Sequence, residues 1–255
     1  MAGSPSASHA AYRRTGLKAH IVHAHPEPQS FTAAMRDAAA AALKAMGYQV
    51  TISDLYAMNF DPLISRDDFT HEVGDPIAFT KEQRAGWSGR TLDPAILAEA
   101  DKTLAADLLV LTFPVYWFSV PAMLKGWMDR VLLSGPFYSG RDMYDRGGMK
   151  GKKALALASL GGRAHMFGPD TLHGPLGDGM LRHVLQGTLG VCGYDVLEPF
   201  FAYHAPYVKP EARTEMLEQL KAHVGAVETL PTLPMPSLSD FDEKLRLLKL
   251  STKLN

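Results

Sequence analysis

Three short segments of the chain carry residue types that suit the binding of a small organic ligand. The first spans residues 114–119 and reads PVYWFS, so the large rings of Tyr116, Trp117 and Phe118 directly follow an apolar run. A ring offers a large contact area with few rotatable bonds, which suits a flat ligand. The same rings would also fill a hydrophobic core, and this segment alone leaves both interpretations open.

The second segment runs from His25 to Thr32 and precedes a predicted helix. Ser30 has the side chain of a good N-cap, and the free backbone N–H groups that follow it can bind an anion such as a phosphate. An ordinary capped helix has the same pattern. His23 and His25 stand two apart at a strand end, as metal ligands can, but the sequence offers no convergent third ligand, so we predict no metal site.

The third segment contains Gly161 and Gly162 at the end of a predicted strand. Because glycine has no Cβ, these backbone N–H groups can come close to a ligand carbonyl, although a simple tight turn would need glycine as well. His173 follows and could supply or relay a proton, but a lone histidine is equally a common surface residue. A ligand site is therefore indicated only if the three segments meet at one edge of the fold.

The composition limits the class of protein. With 255 residues, of which 46% are hydrophobic and 21% charged, the chain can bury one sizeable core and at most an appendage. A net charge of −1 provides no basic surface for nucleic acid or for an anionic membrane. Cys192 is the single cysteine, which excludes an intrachain disulfide and fits a reducing compartment.

Two further features bear on location. No apolar run approaches the length of a membrane span. The first 16 residues are mostly small and polar and lack the apolar region of a secretion signal. We therefore expect a disordered tail over residues 1–16 and a cytoplasmic protein.

Hydrophobic periodicity predicts that strands and helices alternate along the chain. Residues 54–90 have weak periodicity and several glycines and prolines, so we expect a long functional loop there. Residues 241–250 could form a short amphipathic helix after a proline-rich break. The expected strands cover residues 17–22, 50–52, 108–113, 153–160 and 194–200, and the expected helices begin at Phe31, Pro94, Val120 (capped by Ser119), Met180 and Pro210.

This alternation indicates a parallel sheet with helices on both faces. A dinucleotide-binding fold would need G-x-G-x-x-G after the first strand, but that turn reads AHPEPQSF and contains no glycine. The predicted fold class is therefore α/β, with a flavodoxin-like doubly wound sheet of five parallel strands. Ligands of such sheets bind beyond the carboxyl ends of the strands, where the three segments would meet. We assign residues 17–229 to this domain and residues 230–255 to a C-terminal extension.

Several segments, in order, resemble the flavin-dependent NAD(P)H:quinone oxidoreductases of the DT-diaphorase type. The resemblance extends from Lys18 to about Asp240. It implies a homodimer that binds FAD, rather than FMN, in active sites at the subunit interface. It also implies two-electron reduction of quinones by NAD(P)H through a ping-pong hydride transfer. The segments are HAHPEPQSFTAAM, SDLYAMNFDPLISRDDF, FPVYWFSVPAMLKGWMDRV, MYDRGGMKGKKA, LHGPL and CGYDVLEP.

The resemblance also implies roles for individual residues. Gly161 and Gly162 would donate hydrogen bonds to the flavin carbonyl end, and His173 would serve catalysis with them. Tyr138 and His173 would bound the substrate pocket together with Trp117 and Phe118. The remaining cofactor contacts implied are His25, Ser30, Phe31 and Thr32 at the pyrophosphate and ribityl chain, Pro114, Val115, Tyr116, Trp117 and Phe118 along the isoalloxazine, and Arg213 near the adenosine.

The sequence departs from the family pattern around the substrate. A family tyrosine that bonds the flavin falls on Phe167, and a second pocket tyrosine falls on Gly140. Two pocket phenylalanines of the family fall on Ser239 and Glu243. The flavin site therefore matches the family more fully than the substrate site does.

Two alternative functions remain compatible with these departures. One is a related flavin enzyme that reduces azo dyes, nitroaromatics, free flavin or activated thiol adducts. The other is a regulatory flavoprotein subunit of a glutathione-gated potassium-efflux system. The sequence determines neither the physiological acceptor nor the choice between NADH and NADPH.

Overall fold

The computed structural model describes residues 16–248, and within that range six parallel strands form one sheet. The strands are β1 Lys18–His23, β2 Gln49–Asp54, β3 Leu108–Pro114, β4 Lys153–Ser159, β5 Asp195–Val196 and β6 Phe200–Ala202. Their order is β2-β1-β3-β4-β5, and β6 pairs with β4 farther along the edge that β5 occupies. The flavodoxin-like order predicted from the sequence is confirmed.

Helices cover both faces of the sheet, as a doubly wound topology requires. They are α1 Phe31–Ala45, α2 Phe79–Gly89, α3 Pro94–Ala105, α4 Ala122–Val131, the single turn α5 Arg182–Val184, and α6 Pro210–Gly225. One apolar cluster lies between the sheet and the pair α1 and α6, and the other includes residues of α3, α4 and α5. All seven residues of β3 are buried, because this strand has a strand on each side and a helical layer on each face.

Local signals explain most helix boundaries. Ser30 caps α1, since its Oγ accepts a hydrogen bond from the amide of Ala33 at 3.0 Å. Gly47 follows that helix with a φ of 93°, a left-handed conformation that glycine adopts without strain. Asp93 caps α3 through the amide of Ala95 at 2.7 Å. The cap at Ser30 agrees with the residue pattern that predicted it.

Residues 54–90 are more ordered than we expected. They contain α2 and a 3₁₀ turn at Arg66–Asp68, so the expectation of one long loop was wrong in part. The segment is held by long-range contacts, which periodicity does not report. The Arg130 guanidinium on α4 reaches the Asp68 carboxylate at 2.7 Å, and both side chains are buried.

The start of α4 also differs from the prediction. The helix begins at Ala122 instead of Val120, and Ser119 does not cap it. The Ser119 backbone instead exchanges two hydrogen bonds with Tyr116, and its hydroxyl lies 2.9 Å from Nε2 of His183. A tight turn over residues 116–119 therefore takes up the predicted N-cap, and the helix begins two residues later.

Three predictions toward the C-terminus were wrong in part. The expected helix over residues 180–189 is divided into two π-helical segments and the short α5, in a stretch interrupted by Gly177, Gly179 and Gly187. The expected fifth strand is split into β5 and β6. Residues 241–248 form no helix, and Phe241 pairs with Leu247 instead. Residues 1–15 and 249–255 of the two expected end segments lie outside the described range.

The C-terminal extension covers the edge of the sheet at β5. The amide of Glu198 donates to the carbonyl of Pro231 at 2.9 Å, and the amide of Leu233 donates to that of Val196 at 2.8 Å. These bonds satisfy backbone groups that an open edge strand would leave unpaired. Within residues 16–248, no helix combines the length and apolar character needed to cross a membrane.

We predict that Gly126→Ala destabilises the protein. A Cβ at this position on α4 would overlap the backbone of Pro62, so the 54–90 segment or the helix must shift. Overpacking of this kind costs about 1–3 kcal/mol. Gly225→Ala on α6 is the matched control, since a Cβ there meets nothing within 4 Å. Urea denaturation should show a lower midpoint for Gly126→Ala alone, and equal midpoints would contradict the observed packing.

Candidate active site

A cleft of about 430 Å³ opens at the carboxyl edge of the sheet. The loops that follow β1, β3, β4 and β6 form its walls, which is where a doubly wound sheet places its ligand. We call it the ligand cleft. Its lining residues are His25, Ser30, Phe31, Thr32, Pro114, Val115, Tyr116, Ser159, Leu160, Gly161, Ala205, Pro206 and Arg213.

A second, shallower depression adjoins the ligand cleft and shares Val115, Leu160 and Gly161 with it. We call it the aromatic shelf. Every cofactor residue named in the sequence analysis lies in one of these two depressions, and His173 lies in the second. The remaining residues of the aromatic shelf are Trp117, Phe118, Gly162, Phe167 and His173.

One end of the ligand cleft suits an anion. The amides of Phe31 and Thr32 lie in the first turn of α1, where no carbonyl of the helix can accept from them. The Arg213 guanidinium lines the same cleft and is held by the carbonyls of Ala205 and Pro206 at 3.0 and 2.9 Å. A fixed cation and a helix N-terminus together favour a phosphate group.

Two histidines follow β1 in different environments. His25 lines the cleft, and its Nδ1 accepts a hydrogen bond from the amide of Glu27 at 3.0 Å. The same Nδ1 lies 3.2 Å from the Glu27 carbonyl oxygen, whereas Nε2 has no partner within residues 16–248 and is free to bond a ligand. His23 is buried instead, with Nδ1 2.8 Å from the Thr112 hydroxyl, and burial lowers its pKa to about 4. No group of three potential metal-binding side chains occurs in the described part of the chain.

The aromatic loop is a strained turn. Tyr116 and Ser119 exchange two backbone hydrogen bonds of 3.0 Å, and the residues between them, Trp117 and Phe118, have φ angles of 49° and 59°. Left-handed backbone at non-glycine residues costs on the order of 1–3 kcal/mol each and occurs mainly at functional sites. Trp117 is 95% exposed, whereas Trp127 on α4 is fully buried. The Trp117 ring therefore does not fill the core.

Phe167 forms the wall of the aromatic shelf. Its ring centroid lies 5.2 Å from that of His173, 5.7 Å from that of Tyr203 and 6.4 Å from that of Phe118. A Cβ on Gly162 would lie 2.6 Å from the Phe167 ring, so only glycine lets this ring pack over the loop. The position where the family has a hydroxyl group is thus occupied by an apolar ring packed against the histidine.

The glycine loop offers two free donors. Neither the Gly161 nor the Gly162 amide has a hydrogen-bond acceptor within residues 16–248. Both residues line the aromatic shelf, and Gly161 also lines the ligand cleft. Backbone N–H groups in such a position can stabilise negative charge that develops on a bound ligand.

Tyr138 is the one named site residue that the structure places elsewhere. It is half-buried in a turn where its carbonyl accepts from the amide of Gly135 at 2.7 Å, and it lines neither depression. The cleft also contains residues that the sequence analysis did not name. Ser159 and Leu160 directly precede the glycine segment, and Ala205 and Pro206 follow the short β6, a strand that periodicity had merged with β5.

A flavin fits this arrangement. The anion-binding end matches a phosphate, the shelf offers exposed rings to a planar system, and the free glycine amides match ring carbonyls. The fold and the site define a flavin-dependent oxidoreductase of the flavodoxin-like class. A family model described as flavodoxin-like fold matches residues 18–224.

Comparison with known proteins gives the family. The chain is 43% identical over 223 residues to NAD(P)H dehydrogenase [quinone] 1 of Rattus norvegicus, covering 86% of this chain and 81% of the relative. It is 40% identical over 206 residues to ribosyldihydronicotinamide dehydrogenase [quinone] of Homo sapiens, covering 79% and 88%. A solved structure from Klebsiella pneumoniae, described as a quinone reductase, superimposes with a TM-score of 0.85 at 30% identity over 91% and 93% of the chains. The chain belongs to the NAD(P)H:quinone oxidoreductase family.

We predict that Trp117→Gly weakens ligand binding without destabilising the fold. The substitution relieves a left-handed backbone and removes a ring that supports no core, so the free energy of unfolding should stay unchanged or rise by up to about 1 kcal/mol. Flavin affinity should fall about tenfold, which corresponds to about 1.4 kcal/mol of lost ring contact.

Thermal unfolding of the apoprotein and flavin titration measure the two effects separately. Arg90→Gly is the control, because Arg90 also has a left-handed φ, of 54°, and lies outside both depressions. It should leave the flavin affinity unchanged. A lower melting temperature for Trp117→Gly, with binding intact, would show that the ring supports the fold.

Proposed function

We propose that the protein binds FAD and catalyses two-electron reduction of quinones by NAD(P)H in a ping-pong reaction. The observation that carries this proposal is the continuity of the site. The ligand cleft, with its anion-binding end, passes directly into the aromatic shelf through Val115, Leu160 and Gly161. Arg213 lines the same cleft and is the residue expected near the adenosine, a group that FAD has and FMN lacks.

Bound FAD would supply the centre that takes a hydride from the nicotinamide and passes it to the quinone. The chain's own contribution is position and electrostatics. Trp117 and Phe118 would hold flat rings at the shelf, and nicotinamide and quinone would occupy it in turn. The single α/β sheet of the described residues, which has no second nucleotide-binding fold beside it, supports a ping-pong order.

Charge and proton handling fall to the loop after β4. The Gly161 and Gly162 amides would donate to the pyrimidine carbonyl end of the flavin, where negative charge develops. Phe167 has no hydroxyl to share this role. His173, whose ring lies 5.1 Å from that of Phe118, would deliver the proton that the quinone oxygen needs alongside the hydride.

We further propose a homodimer with the active site at the subunit interface. Large apolar side chains are exposed around the cleft and on the 54–90 segment, among them Trp117 at 95%, Leu172 at 76% and Leu63 at 71%. Such exposure is typical of surfaces that a partner covers. Tyr138 lines neither depression of its own chain, so it could bound the substrate only from a second copy.

The test of the function is to identify the flavin and the acceptor. The purified protein should be yellow, release FAD on denaturation, and oxidise NADH or NADPH with a soluble quinone. Release of FMN alone would contradict the cofactor assignment. NAD(P)H oxidation that proceeds with azo or nitro compounds but not with quinones would assign a different acceptor. Flavin binding without turnover would favour a regulatory subunit.

The dimer is tested by measuring the mass in solution. Sedimentation or light scattering should give roughly twice the 27.8 kDa of one chain, because the exposed apolar surface is unfavourable in water. A monomeric mass at concentrations that give full activity would contradict the shared active site.

We predict that His173→Ala slows the quinone half-reaction more than the nicotinamide half-reaction. Loss of a general acid typically costs about 10²- to 10⁴-fold, and only the quinone takes up a proton with its hydride. His165→Ala is the control, since His165 is exposed on the same loop and lines neither depression. Stopped-flow traces of the two half-reactions decide the matter. Equal rates of quinone reduction in wild type and variant would make His173 a bystander.

A further inference from the structure

His204 makes two hydrogen bonds to the glycine loop from a strained backbone. It follows β6 with a φ of 59°, in the left-handed region that histidine rarely adopts. Its ring Nδ1 lies 2.8 Å from the carbonyl oxygen of Gly161. Its backbone amide donates to the carbonyl of Gly162, also at 2.8 Å. Strain of this kind persists only where surrounding contacts enforce it.

Ala205, the next residue in the chain, also bonds the segment that contains the two glycines. The amide of Ala205 donates to the carbonyl of Leu160 at 3.1 Å. Three successive carbonyls, of residues 160–162, are therefore held by residues 204 and 205 on one side of the loop. The Tyr207 ring packs 5.0 Å from that of His204, and a Cβ on Gly161 would come within 3.2 Å of it. Tyr207 thus packs against both the imidazole and the loop.

Because the peptide group is planar, these bonds also fix the directions of the Gly161 and Gly162 N–H groups. In a trans peptide the C=O and the following N–H point in opposite directions in one plane. The bond from Ala205 to Leu160 therefore fixes the Gly161 N–H. The bond from the His204 ring to Gly161 fixes the Gly162 N–H. Both amides then face away from residues 204 and 205, and neither has an acceptor within residues 16–248.

We propose that the His204 imidazole is a positioning residue that holds the Gly162 amide as a donor to the flavin. Glycine allows a wide range of φ and ψ, so an unanchored Gly-Gly peptide can rotate and lose its direction. This inference rests on the proposed flavin function and adds a residue that touches neither flavin nor substrate.

Two variants separate positioning from a merely structural role. His204→Asn keeps a donor at nearly the place of Nδ1 and tolerates a left-handed φ. His204→Gly removes the donor while relieving the backbone strain, so it should fold. His223→Ala is the matched control, because His223 also bonds a backbone carbonyl, that of Glu198 at 2.9 Å, away from the cleft.

The first readout uses the protein without flavin. In glycine-labelled NMR spectra, His204→Gly should shift or broaden the Gly162 amide signal, and His204→Asn should restore a single sharp signal. The second readout is the two-electron midpoint potential of bound flavin, measured by equilibration with redox dyes. His204→Gly should lower it by about 30 mV, equivalent to a tenfold loss of preference for the reduced over the oxidised flavin. His204→Asn and His223→Ala should stay within a twofold change of that preference.

Two results would overturn the positioning role of His204. A wild-type potential and an unchanged Gly162 signal in His204→Gly would overturn the positioning role. Equal losses in His204→Asn and His204→Gly would overturn it too, because they would show that the fold needs histidine itself. Absence of flavin binding by the wild type would overturn the proposed function, and the NMR comparison would still decide whether His204 orients the loop.

Discussion

Pairing of β3 with β1 on one side and β4 on the other is the interaction on which the rest of the structure depends. In register, His23 of β1 lies beside Thr112, and Pro114 lies beside Ser159 of β4. Because the strands are parallel, their carboxyl ends reach the same edge, and the loops that follow them must share it. A helix N-terminus, an aromatic turn and a glycine loop meet at this edge because of the strand pairing. No side-chain contact is needed to bring them together.

The site contains several non-glycine residues with a left-handed backbone conformation, which is unfavourable in most loops. Trp117, Phe118 and His204 all have left-handed φ angles, and each lies in the cleft wall or directly behind it. The fold can carry this strain because the layers on either side of β3 are large and apolar. Strain here presents exposed rings on one wall and free amides on the other, which is the arrangement that a planar, polar-edged cofactor requires.

The substrate side departs from the family where chemistry would be most sensitive. Phe167 stands where the resemblance leads us to expect a hydroxyl-bearing residue, and its apolar ring packs against His173. Gly140 leaves space where a ring is expected, since a Cβ there would meet nothing within 4 Å. Under the proposed function, stabilisation of developing charge would depend more on the glycine amides, and the accuracy of their direction would matter correspondingly more.

The sequence by itself determined the alternation of the main strands and helices and the cap at Ser30, because periodicity and capping are properties of neighbouring residues. It also located the three segments that meet at the cleft. Only the tertiary structure decided that Trp117 is exposed, that Asp68 binds Arg130, and that His204 holds Gly161. Each of these depends on where a distant part of the chain lies, and no local pattern records the free energy of such a contact.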